Sequence, residues 1–323
     1  MSSVSVIIPV KNRAELLRKT LDNLLSQSQP PHEIIVVDDH SSDNIRQVIF
    51  DYITEGIFLN NEGHGPGAAR NLGLSAATGK YIQFFDSDDL MASNKLEAQV
   101  KALEESGADM AYGPYVKAEE TANGWVQKDV VMQWNPIPAN FSLNDAILRG
   151  WNAITQACLF RKEFLDHVPA WDEKLITHED YLYLFRLSLE KPRLVHVPQE
   201  GVLYRQHGAQ STDMETKNTA RAKDRLQVLV EMRKELSNKD YSFFSSLLFS
   251  GRLAQAYLYL QQSGEDVRPF SGYMKATDSI CRHLYRFYNK SERMKTGNDW
   301  EPMHGTSSSK EHFNKILNAC FHG

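Results

Sequence analysis

Apolar positions in the first ninety residues come as short unbroken runs: Val4–Val10, residues 33–37 and residues 81–85. Continuous β-branched and aromatic runs of strand length predict strands buried on both faces, as in a parallel sheet. Between them the period shifts to that of a helix. Asn12 has Glu15 three places on, a capping-box arrangement, and Leu17, Leu21, Leu24 and Leu25 continue at helical spacing. After the Pro30-Pro31 break and the second run, Ser41, Ser42 and Asp43 offer caps for the next helix. The glycine-rich residues 63–71 predict a turn into a helix that closes at Gly79, with Pro66 in its first turn.

Further along, residues 93–106 read as a helix with Leu96, Val100 and Leu103 inward. Residues 109–116 and 125–134 read as strands around an Asn123-Gly124 turn, Pro136 and Pro138 mark a loop, and residues 154–161 read as another strand. A helix after His178 places Leu182, Phe185, Arg186 and Leu189 on one face. Residues 193–198 and 202–206 form the last strand pair. Strands alternating with helices predict an α/β fold: a mixed, mainly parallel sheet flanked by helices. From about Thr212 the pattern changes to long amphipathic helices, residues 222–236 and 241–262, with aromatic surface at 257–260 and 282–288 and a polar loop at 296–310. The chain therefore divides into an α/β domain, 1–212, and a C-terminal helical extension, 213–323, whose role is open.

Composition narrows the classes. A net charge of −5 and a pI near 6.1 show no excess of Lys or Arg, so no nucleic acid partner is expected. Three scattered cysteines, Cys158, Cys281 and Cys320, match neither a disulfide framework nor a zinc pattern, which suits a reducing compartment. No run of 18 uncharged apolar residues occurs. The expectation is a cytoplasmic protein, with room for peripheral contact at the inner face of a membrane.

The candidate chemistry lies at strand ends. The run at residues 81–85 stops in Asp86, Asp88 and Asp89, and ligands of open α/β sheets bind beyond the carboxyl ends of the strands. Asp86 and Asp88, two residues apart, could share one Mg²⁺ or Mn²⁺; the bland alternative is a solvated acidic turn capping the next helix. Arg70, within about a turn of the start of a glycine-led helix, suits a diphosphate. Glu179 and Asp180 open a helix, where acids favour the dipole in any protein. His207 ends the last strand. The first βα turn has no glycine and Gly79-Lys80-Tyr81 lacks the Ser/Thr of a P-loop, so dinucleotide-binding and Walker-type readings lose their support.

In this order, residues 4–13, 36–43, 65–73, 85–89, 179–180 and 204–207 resemble the family 2 inverting glycosyltransferases of the GT-A fold, over roughly residues 3–212. Lys11 stands where an aromatic is common in that family, and His40 where glycine is common. The resemblance implies Asp39 as acceptor of the uracil N3–H, with Pro9 and Val10 lining the base pocket. It implies Asp88 as metal ligand helped by Asp86 and Asp89, Mn²⁺ or Mg²⁺ as cofactor, and Arg70 on the diphosphate. Asp180 would be the general base and Glu179 its positioning partner, with His207 reaching the metal or diphosphate and Arg205 supporting that loop. The implied partners are a nucleotide-sugar donor, UDP-linked by preference, and a glycan, lipid-linked or protein acceptor, with homo-oligomerisation through the C-terminal helices as a further expectation. The alternative is a non-catalytic nucleotide-sugar-binding or assembly protein on the same fold.

Overall fold

The computed structural model describes residues 3–52, 56–128, 131–133, 135–151, 153–198, 201–207, 219–236, 242–275, 278, 280–283, 286 and 310–321. The boundary at 212, Trp134, nearly all of the expected loop at 296–310 and most of the aromatic segment 282–288 lie outside these residues.

A seven-stranded sheet has the order β10-β6-β9-β4-β1-β2-β3. Its members are β1 (Val4–Val10), β2 (Glu33–Asp38), β3 (Ile57–Asn60), β4 (Tyr81–Phe84), β6 (Met110–Tyr112), β9 (Cys158–Arg161) and β10 (Leu194–His196). All run in one direction except β9, which is antiparallel to both β4 and β6. The sheet is thus mixed and mainly parallel, as expected. The unbroken runs of β1 feed both faces. Ile7 packs into one core, and Val6 and Ile8 pack into the other, all fully buried. α1 (Ala14–Leu25), α2 (Ile45–Tyr52) and α4 (Lys95–Ser106) cover the second face. α3 (Gly65–Ala76), α5 (Leu143–Arg149) and α7 (Glu179–Leu189) cover the first; α6 is the short turn Lys162–Leu165. Gly73 lets α3 approach β1, because a Cβ there would come within 2.4 Å of Ile7 Cγ2.

A smaller sheet, β5-β11-β7-β8, is built from β5 (Leu90–Met91), β7 (Tyr115–Thr121), β8 (Gly124–Gln127) and β11 (Val202–Gln206). Three expectations change here. Residues 109–116 form two strands, because Gly113 and Pro114 carry the chain from one sheet to the other. Residues 193–198 and 202–206 do not pair: β10 adds to β6 as an edge strand, while β11 lies between β5 and β7. Residues 154–161 open as a 3₁₀ turn, Thr155–Ala157, and only β9 is strand.

α8 (Thr219–Glu235) and α9 (Phe243–Gln262) contribute Leu226, Leu229, Phe249 and Leu253 to the core that holds Ile7 and Phe84. The last described helix, α10 (Lys310–Phe321), seats Phe313, Ile316 and Cys320 on Leu90, Val116 and Leu203 of the small sheet. Among the described residues no helix is long and apolar enough to cross a membrane.

Candidate active site

Because β4, β1, β2 and β3 are parallel neighbours, their carboxyl ends open along one rim. Phe85 N–H donates to Ile7 O (2.9 Å), Asp39 N–H to Val10 O (2.8 Å) and Asn61 N–H to Asp38 O (2.9 Å), so the loops leave side by side. The loops after β1 and β2 interlock. Asn12, at φ 53°, donates its N–H to Ser41 Oγ (2.9 Å) and accepts from the N–H of Ser42 (2.7 Å). Asp43 accepts from Ala14 N–H at 2.9 Å. Asn12 is therefore not the capping-box residue of α1, whose N-cap position is Arg13, and Asp43 caps α1 from another loop in place of α2. Tertiary approach of two loops offered better partners than the local pattern.

Asp39 is buried, and Oδ2 keeps room for a further donor beside Lys11. Its Oδ1 accepts from Asn61 Nδ2 (2.8 Å) and Gly65 N–H (3.0 Å), and its Oδ2 faces Lys11 Nζ at 3.2 Å. Burial pushes its pKa up, but the Asn61 amide, Lys11 and the Gly65 N–H outweigh it and hold the carboxyl below the usual range. Pro9 and Val10 lie beside it at the end of β1, in register with Val37 and Asp38.

Asp86, Asp88 and Asp89 each present a carboxylate oxygen within 4.8 Å of the others. Desolvation, followed by neighbouring carboxylates, pushes Asp89 well up, and desolvation with Asp88 also raises Asp86 against the pull of Arg70. Asp88 goes the other way. Burial raises it, yet His207 Nε2 at 2.9 Å and Arg13 Nη1 at 2.8 Å, both on Oδ2, hold it down. Crowded oxygen donors of this kind suit a hard divalent cation, whose charge would offset both the burial and the mutual repulsion of these carboxylates. Asp89 also accepts from Arg205 N–H at 3.0 Å, which ties β11 to the acidic loop. Arg205 itself is 3% exposed. Its guanidinium reaches Asp88 O, Leu16 O (3.0 Å) and Thr20 Oγ1 (2.8 Å), making it an internal strut.

Across the rim, α7 starts from His178 at φ 62°. Glu179 and Asp180 stand in its first turn, as expected, and Arg70 bridges Glu179 to Asp86. Arg70 Nη1 meets Glu179 Oε1 and Nη2 meets Asp86 Oδ1, each at 2.9 Å, while its guanidinium lies 4.6 Å from the centre of the Trp171 ring. The arginine is 4% exposed; its contact with Glu179 is buried, and that with Asp86 is part-buried. Desolvation lifts Glu179 to about 7, against the pull of Arg70. Asp180, more exposed than Glu179, is also raised by desolvation, with Arg70 opposing and Asp86 adding; its Oδ1 accepts from Tyr181 N–H at 2.7 Å. A carboxylate tuned upward towards neutral pH is a better proton acceptor for catalysis than one of ordinary pKa.

The arrangement brings all eleven site residues singled out in the sequence onto this rim or directly behind it. It adds four that were given no role: Lys11 and Asn61 on Asp39, Arg13 on Asp88, and Gln156, whose amide lies on Asp86 and Asp89. Asn61 was findable, since it follows β3 as Asp39 follows β2. Gln156 carries no such signal beyond being an amide in an apolar run.

A sequence model described as Glycosyl transferase family 2 matches residues 5–168, just over half the chain. An uncharacterized glycosyltransferase of Rickettsia bellii is 39% identical over 121 residues, covering 37% of this chain and 18% of that protein. The Escherichia coli UDP-Glc:alpha-D-GlcNAc-diphosphoundecaprenol beta-1,3-glucosyltransferase WfgD is 35% identical over 114 residues, 35% of this chain and 45% of that one. A poly(ribitol-phosphate) beta-glucosyltransferase of Bacillus spizizenii is 29% identical over 197 residues, 58% of this chain and 30% of that one. The matched stretch thus spans half or less of these relatives. The crystal structure of S. aureus TarS 1-349 superposes with a TM-score of 0.61 at 20% identity, over 88% of this chain and 78% of that one. Its complex with UDP-GlcNAc gives 0.60 at 19%, over 90% and 81%. With the family match over the segments that carry Asp39, Arg70 and Asp86–Asp89, the chain belongs to Glycosyl transferase family 2.

Proposed function

We propose that this protein is an inverting glycosyltransferase that moves a sugar from a nucleoside-diphosphate sugar, UDP-linked by preference, to a hydroxyl acceptor in a single displacement. The observation that carries the reading is the Arg70 bridge. One buried guanidinium joins Asp86 of the acidic loop to Glu179 beside Asp180, so the candidate donor side and base side are fixed to each other. Asp39, held ionised, accepts the N3–H of the uracil over Pro9 and Val10. Asp88 and Asp86, with His207 beside them, are the groups that would hold Mg²⁺ or Mn²⁺, whose chemistry is to neutralise charge on the departing diphosphate. Arg70, assigned to that diphosphate by resemblance, has its two terminal nitrogens on Asp86 and Glu179 and holds those acids in place. Asp180 takes the proton of the attacking hydroxyl, and Glu179, pinned by Arg70, orients the turn that presents it. Displacement from the face opposite the leaving group inverts the anomeric carbon.

Relatives bear on the substrates. TarS has been solved with UDP and with UDP-GlcNAc, WfgD is named for UDP-Glc and a diphosphoundecaprenol-linked sugar, and the Bacillus enzyme for poly(ribitol-phosphate). These favour a UDP-sugar donor and a phosphate-bearing glycoconjugate or polymer as acceptor. The test is thermal stability across UDP- and GDP-linked sugars with Mn²⁺, followed by transfer assays with the stabilising donor. A ligand at 100 times its dissociation constant should add about 2.7 kcal/mol. A panel that leaves the melting curve unchanged removes the donor site from consideration, and donor binding without transfer to any hydroxyl acceptor supports a sensor on the same fold.

A further inference from the structure

Beneath the acidic loop lies a layer of buried amides. Gln156 sits in the 3₁₀ turn before β9, 3% exposed. Its Nε2 donates to Asp86 Oδ2 at 2.5 Å and to Asp89 Oδ2 at 3.2 Å. An amide nitrogen has two N–H groups, and both go to carboxylates. The turn is clamped from below. Gln83 Nε2 donates to Thr155 O (3.3 Å) and Gln156 O (3.1 Å), and Gln99 Nε2 donates to Ala157 O (3.0 Å). The oxygens of both glutamines accept from one lysine, Lys95 Nζ, at 2.5 and 2.8 Å. Three consecutive carbonyls are thus fixed by two amides that are themselves fixed by Lys95. Lys95, Gln83 and Gln99 are fully buried.

A layer serving only to satisfy the turn would need no donor pointing out of it. Gln156 points out, between two carboxylates that repel each other and that have different outer partners: Asp86 is held by Arg70 and Asp89 by the backbone of Arg205. The amide bridges the two, and Asp88 completes the same cluster of carboxylate oxygens. We propose that Gln156 is a positioning residue for the acidic cluster, holding Asp86 and Asp89 at the spacing a divalent cation requires, with Lys95, Gln83 and Gln99 as its rigid seat. This rests on the reading of Asp86 and Asp88 as cation ligands.

The experiment is titration of Mn²⁺ alone into the full chain, followed by calorimetry and by the electron paramagnetic resonance signal of free Mn²⁺, for the parent, Asp88→Asn, Gln156→Met and Gln156→Asn. Methionine keeps the length without a donor; asparagine keeps the donor but is too short to span both acids. Loss of an outer partner of a metal ligand typically costs about 10- to 100-fold in affinity, so both Gln156 variants should bind Mn²⁺ that much more weakly while melting, without metal, close to the parent. Asp88→Asn should lose binding further. If both Gln156 variants fold and bind Mn²⁺ as the parent does, the positioning role is wrong although the cation site stands. If they only lower the melting temperature, with Mn²⁺ affinity kept, Gln156 is structural and the proposal falls. A parent that binds no Mn²⁺, or binds it equally after Asp88→Asn, overturns the cation reading itself and this proposal with it.

Discussion

Asp88 and Asp180 stand on opposite sides of the Arg70 bridge, and they should fail differently. Asp88→Asn removes charge from the acidic cluster, so nucleotide binding in Mn²⁺ and sugar transfer should fall together. Asp180→Asn is nearly isosteric and leaves the Asp39 pocket untouched. Transfer should drop about 10²- to 10⁴-fold with donor affinity kept, as read by calorimetry beside product formation. Transfer within a few-fold of the parent would move the base elsewhere, with Glu179 first in line. Arg70 offers a stability counterpart. Removing one partner of a buried pair leaves an uncompensated charge, at about 3–5 kcal/mol, and Arg70→Met strands both Asp86 and Glu179. Chemical denaturation should show a loss of that order; a loss under about 1 kcal/mol, the scale of an exposed pair, would mean that the bridge is weak.

Elements are fixed by contacts that single residues permit. α3 rests on β1 at Gly73, where an added methyl would meet Ile7 and, at 3.3 Å, Val37. Gly73→Ala should cost about 1–3 kcal/mol by overpacking, measurable as a lower denaturation midpoint at unchanged slope; a neutral result would mean that the helix slides freely. α4 carries Lys95, whose ammonium burial pushes down to about 7. The unfolded chain keeps that proton to about pH 10 while the folded chain releases it near 7. Folding stability therefore rises with pH between those values, by at most about 1.4 kcal/mol per unit, and is flat below about pH 7. Lys95→Met should lack this rise. Denaturation curves of both proteins between about pH 6 and pH 9 decide it, and parallel profiles would show that Lys95 titrates alike in both states.

For the whole molecule, the helices after residue 212 are wedged against α7 and the turn that leads into it. Thr177 Oγ1 donates to Asp224 of α8 at 2.8 Å, Arg186 of α7 pairs with Glu235 at 2.7 Å, and Arg252 of α9 donates to Tyr181 Oη at 2.7 Å, one residue after Asp180. A chain ending at residue 212 should therefore lose cooperative unfolding along with donor binding, since Phe84, Trp151 and Leu182 lose neighbours in their core. A sharp calorimetric transition with retained nucleotide binding would show that the α/β part stands alone. How much of this was legible beforehand follows from range. The unbroken runs at β1, β2 and β4 dictated buried parallel strands, because only backbone paired on both sides can sit between two apolar layers. That topology alone delivered Asp39, Asp86 and Asp88 to one rim. What the sequence could not decide was every choice between competing partners of like chemistry: Asp43 capping α1 in place of α2, residues 202–206 joining β7 in place of residues 193–198, Arg70 facing Asp86 and Glu179 109 residues apart from it in one case, and Gln156 meeting two acids about 70 residues away. A hydrogen-bonding group carries no label for its partner. Only the packed fold, which fixes which groups are desolvated together, selects one.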